Sequence, residues 1–184
     1  MDRLPGREQQ WVQRIRAGDE AAFQALFQAY YPRLCRFAMG YVKSHDRAHD
    51  VVQEVFIKLW TGRGQWVLRG SLKTYLYQAV RNQALNHLRG EQRRAAYEHE
   101  QVTEAAKAAR TAEDEYQLKE LTKAIWEAID QLPERRRTAF VLHRQHGLTY
   151  KEVAQVMGTR PTTVHTQIGK ALRFLKETLP PEYF

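Results

Sequence analysis

The 184 residues carry a single cysteine, Cys35, which excludes an intrachain disulfide and any zinc site built on cysteines. Its expected place is the core, where a free cysteine packs as a small hydrophobe. No apolar run reaches the ~18 residues that mark a membrane-crossing helix. The opening "MDRLPGREQQW" lacks the apolar stretch of a signal peptide. A soluble, cytoplasmic chain without membrane insertion is expected. Phosphate-loop and nucleophile-elbow motifs are missing too, so neither a cofactor nor an enzymatic activity is expected.

Positive charge is plentiful and unevenly placed. Residues 1–94 hold 16 Lys+Arg against 8 Asp+Glu, residues 95–131 hold 4 against 9, and residues 132–176 hold 9 against 2. Two basic blocks flank an acidic one. Basic blocks of this size suit a polyanion, because each neutralised phosphate releases counterions. The alternation also suggests that the two basic lobes close on each other through the acidic segment when the chain is free.

The apolar spacing is helical throughout, over 8–17, 20–43, 47–61, 71–90, 114–130, 134–145, 149–157 and 161–178, and no segment alternates like a strand. The expected fold is all-α. The stretch 91–113 is polar and Ala-rich, unable to bury a core of its own. Keeping the first basic block whole gives two small helical domains, 1–94 and 114–184, joined by an acidic, Ala-rich linker over 95–113.

One helix carries an apolar residue too many. In "DVVQEVFIKLW" (50–60), Val52, Val55, Phe56, Leu59 and Trp60 form one stripe with Val51 on its flank. Ile57 stands roughly 140° from Val52, among Asp50, Glu54 and Lys58. Something outside the domain core must account for it. Asp46, His49, Asp50 and Glu54 share part of one face, yet a bundle metal site needs matching carboxylates on facing helices. No such partner set is present, and no metal is expected.

"LTYKEVAQVMGTRPTTVHTQIGKALRFLK" (148–176) has the pattern of a helix-turn-helix. Thr149 and Glu152 form a capping box, Gly158 suits a left-handed helix end, and Pro161 suits a first helical turn. Val164, Ile168, Leu172 and Leu175 point inward. Thr162, Thr163, His165, Thr166, Gly169, Lys170 and Arg173 face out, as major-groove contact requires. A solvated helical hairpin is the plainer alternative, and the excess of basic residues argues against it. In "GSLKTYLYQAVRNQALNHLRGEQRR" (70–94), Leu72, Leu76, Val80 or Ala79, Ala84 and Leu88 serve the core. Lys73, Tyr75, Tyr77, Arg81, Asn82, Asn86, Arg89, Arg93 and Arg94 occupy the other faces. Aromatics beside cations and amides suit unpaired or distorted nucleic acid.

With both blocks in view, the chain resembles a bacterial sigma factor of the extracytoplasmic-function (ECF) group. The likeness rests on "AFQALFQAYYPRLCRFAMGYV", "DRAHDVVQEVFIKLW", "LKTYLYQAVRNQALNHLR" and "AIDQLPERRRTAFVLHRQHGLTYKEVAQVMG". The resemblance implies that region 2 binds the β′ clamp helices of core RNA polymerase and melts the −10 element. Region 4 would read the −35 element and touch the β flap. Such a protein directs promoter-specific transcription initiation and commonly answers to an anti-sigma factor. Asp50, Gln53, Glu54 and Ile57 would face the polymerase, giving Ile57 an intersubunit partner. Asn82 matches the position that helps capture a flipped −10 base, with Tyr75, Arg81, Asn86, Arg89 and Arg93 supporting the strand. His165, Thr166 and Lys170 match base-reading positions, with Arg160, Thr163 and Gln167 nearer the phosphates.

Departures from the family pattern bear on what is read. Tyr75 stands where many relatives have Trp, Arg160 takes the usual Ser/Thr cap position, and His165 and Gly169 replace basic or bulky residues. The −35 sequence therefore does not transfer. A stand-alone helix-turn-helix regulator is the alternative. It would explain residues 132–176 equally well and leave the first domain and Ile57 without a purpose.

Overall fold

The computed structural model describes residues 5–68, 70–97 and 124–180, with side chains over 8–68, 70–91 and 124–180. The described elements are α1 (Pro5–Arg16), α2 (Glu20–Val42), α3 (His45–Thr61), a single 3₁₀ turn (Arg63–Gln65), α4 (Leu72–Tyr97), α5 (124–130), α6 (Glu134–Arg144), α7 (Tyr150–Met157) and α8 (Pro161–Thr178). No strand occurs among the described residues. The linker from 98 onward, the first part of the 114–130 helix and the Arg93 and Arg94 side chains lie outside what is described.

Local chemistry sets the helix boundaries. Asp19 caps α2, its carboxylate accepting from the Ala22 amide at 2.9 Å and from Arg14 Nε at 2.8 Å. The amide bond first, and the guanidinium with it, hold that carboxyl below the ordinary range. α2 ends at Lys43, whose φ of 53° is a left-handed helix end. α4 runs to Tyr97 and not to 90, so its last two turns come from sequence read as linker. Ala95 and Ala96, among Arg, Gln and Glu, are strong helix formers and continue the helix past Gly90 without needing a core.

Helices α1 to α4 enclose Ile15, Leu26, Leu34, Val51, Val52, Phe56, Leu72, Leu76 and Val80, all buried. An aromatic cluster ties α2 to α3, with Phe27 and Phe56 centroids 4.9 Å apart and Phe23 and Trp60 4.8 Å apart. Cys35 is buried as expected. Helices α5, α6 and α8 share a second cluster of Ala128, Ile129, Leu132, Phe140, Ala171 and Leu175. Leu142, Leu148, Val153, Val156, Val164 and Ile168 do not join it. They belong to the same continuous core as α1 to α4.

The two groups of helices are locked together by named bonds. Tyr41 and Thr138 hydroxyls meet at 2.8 Å in a buried contact. Tyr77 Oη and His146 Nδ1 lie 2.8 Å apart, and Lys73 Nζ donates to the Gly147 carbonyl at 3.0 Å. Ser71 Oγ donates to Glu152 at 3.2 Å, and Lys43 Nζ reaches Asp130 at 2.6 Å. Only the last is an ion pair between side chains. The charge alternation in the sequence suggests electrostatic closure; of these five bonds one is an ion pair, two have one charged partner and two are neutral, and all lie over shared apolar packing.

Tyr77 corrects an expectation. Helical spacing places it on an outer face of the fourth helix, yet it is buried to 1% exposure. It contacts Phe37 with centroids 5.1 Å apart and His146 at 4.8 Å. The amphipathic pattern of α4 counts one apolar stripe, but the second group of helices gives it another.

Candidate nucleic-acid and polymerase-docking interfaces

On α3 the inward stripe is Val51, Val52, Val55, Phe56 and Leu59, all buried, with Trp60 half-buried. Asp50, Gln53, Glu54 and Ile57 follow at i, i+3, i+4 and i+7, so they share the opposite face, and all four are exposed. Ile57 is 61% exposed, one of three large apolar side chains in that condition among the described residues. Glu54 pairs with Lys58 at 2.7 Å and accepts from Gln83 Nε2, while Lys58 Nζ reaches Gln83 Oε1 at 3.0 Å. The acidic face of α3 is thereby tied to α4. His49 lies 2.9 Å from the Tyr31 hydroxyl. No group of three or more metal-ligating side chains forms among the described residues.

α4 presents three stripes. Leu72, Leu76, Val80 and Ala84 enter the first core, and Lys73 and Tyr77 meet the second group of helices. Asn82, Asn86 and Arg89, at i, i+4 and i+7, remain exposed together. Arg81 turns away from them. It is half-buried, its Nε has no hydrogen-bond partner, and its charge lies close enough to act on the buried Tyr41 hydroxyl. Adjacent in sequence, Arg81 and Asn82 are about 100° apart around the helix. Tyr75 is half-buried, its ring tilted 47° to Trp66 with centroids 5.4 Å apart. Burial raises its hydroxyl pKa. Sequence reasoning missed Trp66 and Val67, which follow the 3₁₀ turn. Trp66 is buried under Tyr75, and Val67 is 66% exposed. An apolar pair in a glycine-bearing turn was the available signal.

In the second group, Thr149 Oγ1 accepts from the Glu152 amide at 3.3 Å, and Glu152 accepts from the Thr149 amide at 2.8 Å, completing the capping box. Gly158 has φ 63°, so α7 turns sharply into α8. Arg160 stands at the N-cap without a side-chain cap bond and Pro161 begins the helix. Val164, Ile168, Ala171 and Leu175 are buried. Arg160, Thr163, His165, Thr166 and Lys170 are exposed, and Gln167 is half-buried. The start of α8 thus offers uncovered backbone N–H groups beside hydroxyls, an imidazole and a lysine, suited to phosphate and base edges. Thr166 Oγ1 already donates to the Thr162 carbonyl at 3.1 Å, which leaves it an acceptor. His165 meets the Tyr150 ring edge-on at 5.7 Å.

Comparison with known proteins agrees with this arrangement. Residues 26–94 match Sigma-70 region 2, and residues 122–175 match Sigma-70, region 4. The RNA polymerase sigma-H factor of Pseudomonas aeruginosa is 32% identical over 187 residues, covering 95% of both chains. The ECF RNA polymerase sigma-E factor of Escherichia coli is 30% identical over 182 residues, again covering 95% of both. Among solved structures, the sigma factor RpoE of Bartonella quintana, in complex with the anti-sigma factor NepR, superposes with a TM-score of 0.65 at 22% identity. That match covers 85% of this chain and 95% of the other. CnrH in complex with the cytosolic domain of CnrY gives 0.66 at 18%, covering 93% and 96%.

An all-helical chain with a helix-turn-helix and a second exposed amide and basic helix face is a DNA-binding transcription protein of two parts. The relatives narrow the class: the chain belongs to the ECF family of RNA polymerase sigma factors.

Proposed function

We propose that the two parts divide promoter recognition between them. Residues 1–94 form the domain that docks on core polymerase and opens the −10 element. Residues 114–184 form the domain that reads the −35 element, with 95–113 as linker. The carrying observation is Ile57, 61% exposed between Asp50, Gln53 and Glu54 on a face its own core does not use. An apolar centre in an acidic rim fits a protein interface, where buried apolar anchors supply most of the affinity. The β′ clamp helices are its partner in this reading, with the β flap meeting the second domain.

Asn82 captures a −10 base, with Asn86, Arg89 and Arg93 along the strand and Tyr75 stacking beside it. Arg81 supports this site from behind, because its guanidinium lies toward Tyr41. His165, Thr166 and Lys170 read bases in the major groove, with Arg160, Thr163 and Gln167 at the backbone. The protein acts in the cytoplasm as a specificity subunit without enzymatic activity of its own. An anti-sigma factor restrains it, a reading supported by the anti-sigma partner named for the Bartonella quintana structure.

Run-off transcription with purified core polymerase tests the whole reading. Added protein should convert core enzyme into an initiator at a restricted set of promoters. Duplex binding with no gain in specific transcripts would make the chain a stand-alone regulator instead.

A further inference from the structure

Between α2 and the α5–α6 pair lies a cavity of about 1010 Å³, bounded on one side by each group of helices. That volume is at the upper end for small-molecule sites, which run to about 1,000 Å³. Its lining is chemically lopsided. Four cationic side chains, Arg33, Arg36, Lys43 and Arg137, face a single carboxylate, Asp130. Lys43 reaches Asp130 at 2.6 Å and Arg137 at 3.5 Å, so that carboxylate is already matched. Arg33 and Arg36 have no ion pair or hydrogen bond among the described residues.

Those two arginines stand at i and i+3, on one face of α2. Two unpaired guanidinium groups side by side repel each other and concentrate positive potential, a pattern that a phosphoryl group relieves through forked hydrogen bonds. The opposite wall offers the indole of Trp126, a residue 42% exposed. Phe37 and Val141 give the cavity apolar lining. Cations on one side and an exposed aromatic on the other match a ligand with a phosphate at one end and a flat ring at the other.

We propose that this interdomain cavity is a binding site for an aromatic organophosphate of nucleotide size. Such a ligand touches α2 from the first group and α5–α6 from the second. It therefore stabilises the closed arrangement by mass action.

The test titrates ATP into the free full-length chain, followed by tryptophan fluorescence and calorimetry, independently of polymerase. Trp11 and Trp66 are buried and Trp60 is half-buried, so Trp126 dominates any quenching. Saturable one-to-one binding is expected, with adenosine and ribose 5-phosphate each binding far more weakly. Arg33→Ala with Arg36→Ala should lower affinity at least about tenfold, as loss of charge-assisted bonds does. Trp126→Ala should weaken ATP while leaving ribose 5-phosphate unchanged. All three side chains are exposed, and an unchanged melting temperature without ligand checks the fold, with Arg36→Gln alone as the milder variant. Absence of saturation at millimolar ATP overturns the proposal. So does binding undiminished in the arginine variants, or binding that promoter duplex displaces and Lys170→Ala weakens, which would put the nucleotide on α8.

Discussion

His146 makes the contact between the two groups of helices sensitive to acid. Its Nδ1 is bonded to Tyr77 Oη, and its Nε2 is buried without a partner in either tautomer. Burial, aided by the positive charges of Arg36, Lys73 and Arg33, lowers the imidazole from an ordinary 6.5 to about 4. The closed form therefore holds a neutral imidazole, whereas an opened form exposes it and returns it toward the ordinary value. Because the opened form binds the extra proton, closure is fully stable above about pH 6.5 and weakens as pH falls from there toward about 4. Between about pH 7 and pH 5 the linkage amounts to on the order of 2 kcal/mol, or more than tenfold in the open-to-closed ratio. The carboxyl of Glu152 is lowered, and its contribution is lost only below the ordinary carboxylate range. The two effects therefore separate along the pH axis. Thermal unfolding and small-angle scattering across this range read the effect, with His146→Gln as the control that removes the titrating group. A wild-type chain whose closure is unchanged between pH 7 and pH 5 would refute the assignment. So would a His146→Gln variant with the same pH slope as the wild type.

Phe56→Ala should cost about 3–5 kcal/mol of stability, since the ring is 2% exposed within the α2–α3 aromatic cluster. Ile57→Glu should cost about 0.5 kcal/mol or less in melting, yet weaken core-polymerase binding by about 2 kcal/mol or more. If it melts like Phe56→Ala, the docking face is wrong. Asn82→Ala should leave binding of −35 duplex and core polymerase intact while reducing permanganate reactivity of the −10 thymines; normal melting would remove Asn82 from the site. Lys170→Ala should relax −35 discrimination by about 1–3 kcal/mol, whereas Arg160→Ala should weaken all sequences alike and flatten the salt dependence. An unchanged ranking of promoter variants in Lys170→Ala would relocate the reading face. Tyr41→Phe strands the Thr138 hydroxyl in a buried contact and should destabilise closure by about 1–3 kcal/mol, read as a larger radius of gyration. An unchanged radius would show that this bond does not hold the domains together.

The sequence alone settled whatever depends on neighbours along one helix. The capping box at Thr149 and Glu152, the left-handed Gly158, the inward Val164 and Ile168, and the exposure of Ile57 away from the buried stripe of α3 all follow from 3.6-residue spacing and end-of-helix hydrogen bonding. These terms act within a few residues and leave a local signature. Tertiary structure decided what a second surface does to a face that looks solvent-exposed in isolation. Tyr77 is buried because Phe37 of α2 and His146, in the turn between α6 and α7, pack on it, Arg81 is half-buried beside Tyr41 while Asn82 stays exposed, and Arg33 and Arg36 face a cavity only because α5 and α6 lie across from them. Periodicity counts how many apolar stripes a helix has, but not which distant helix fills each one. That choice is made by long-range contacts such as Tyr41 with Thr138, separated by 97 residues, whose pairing no local spacing encodes.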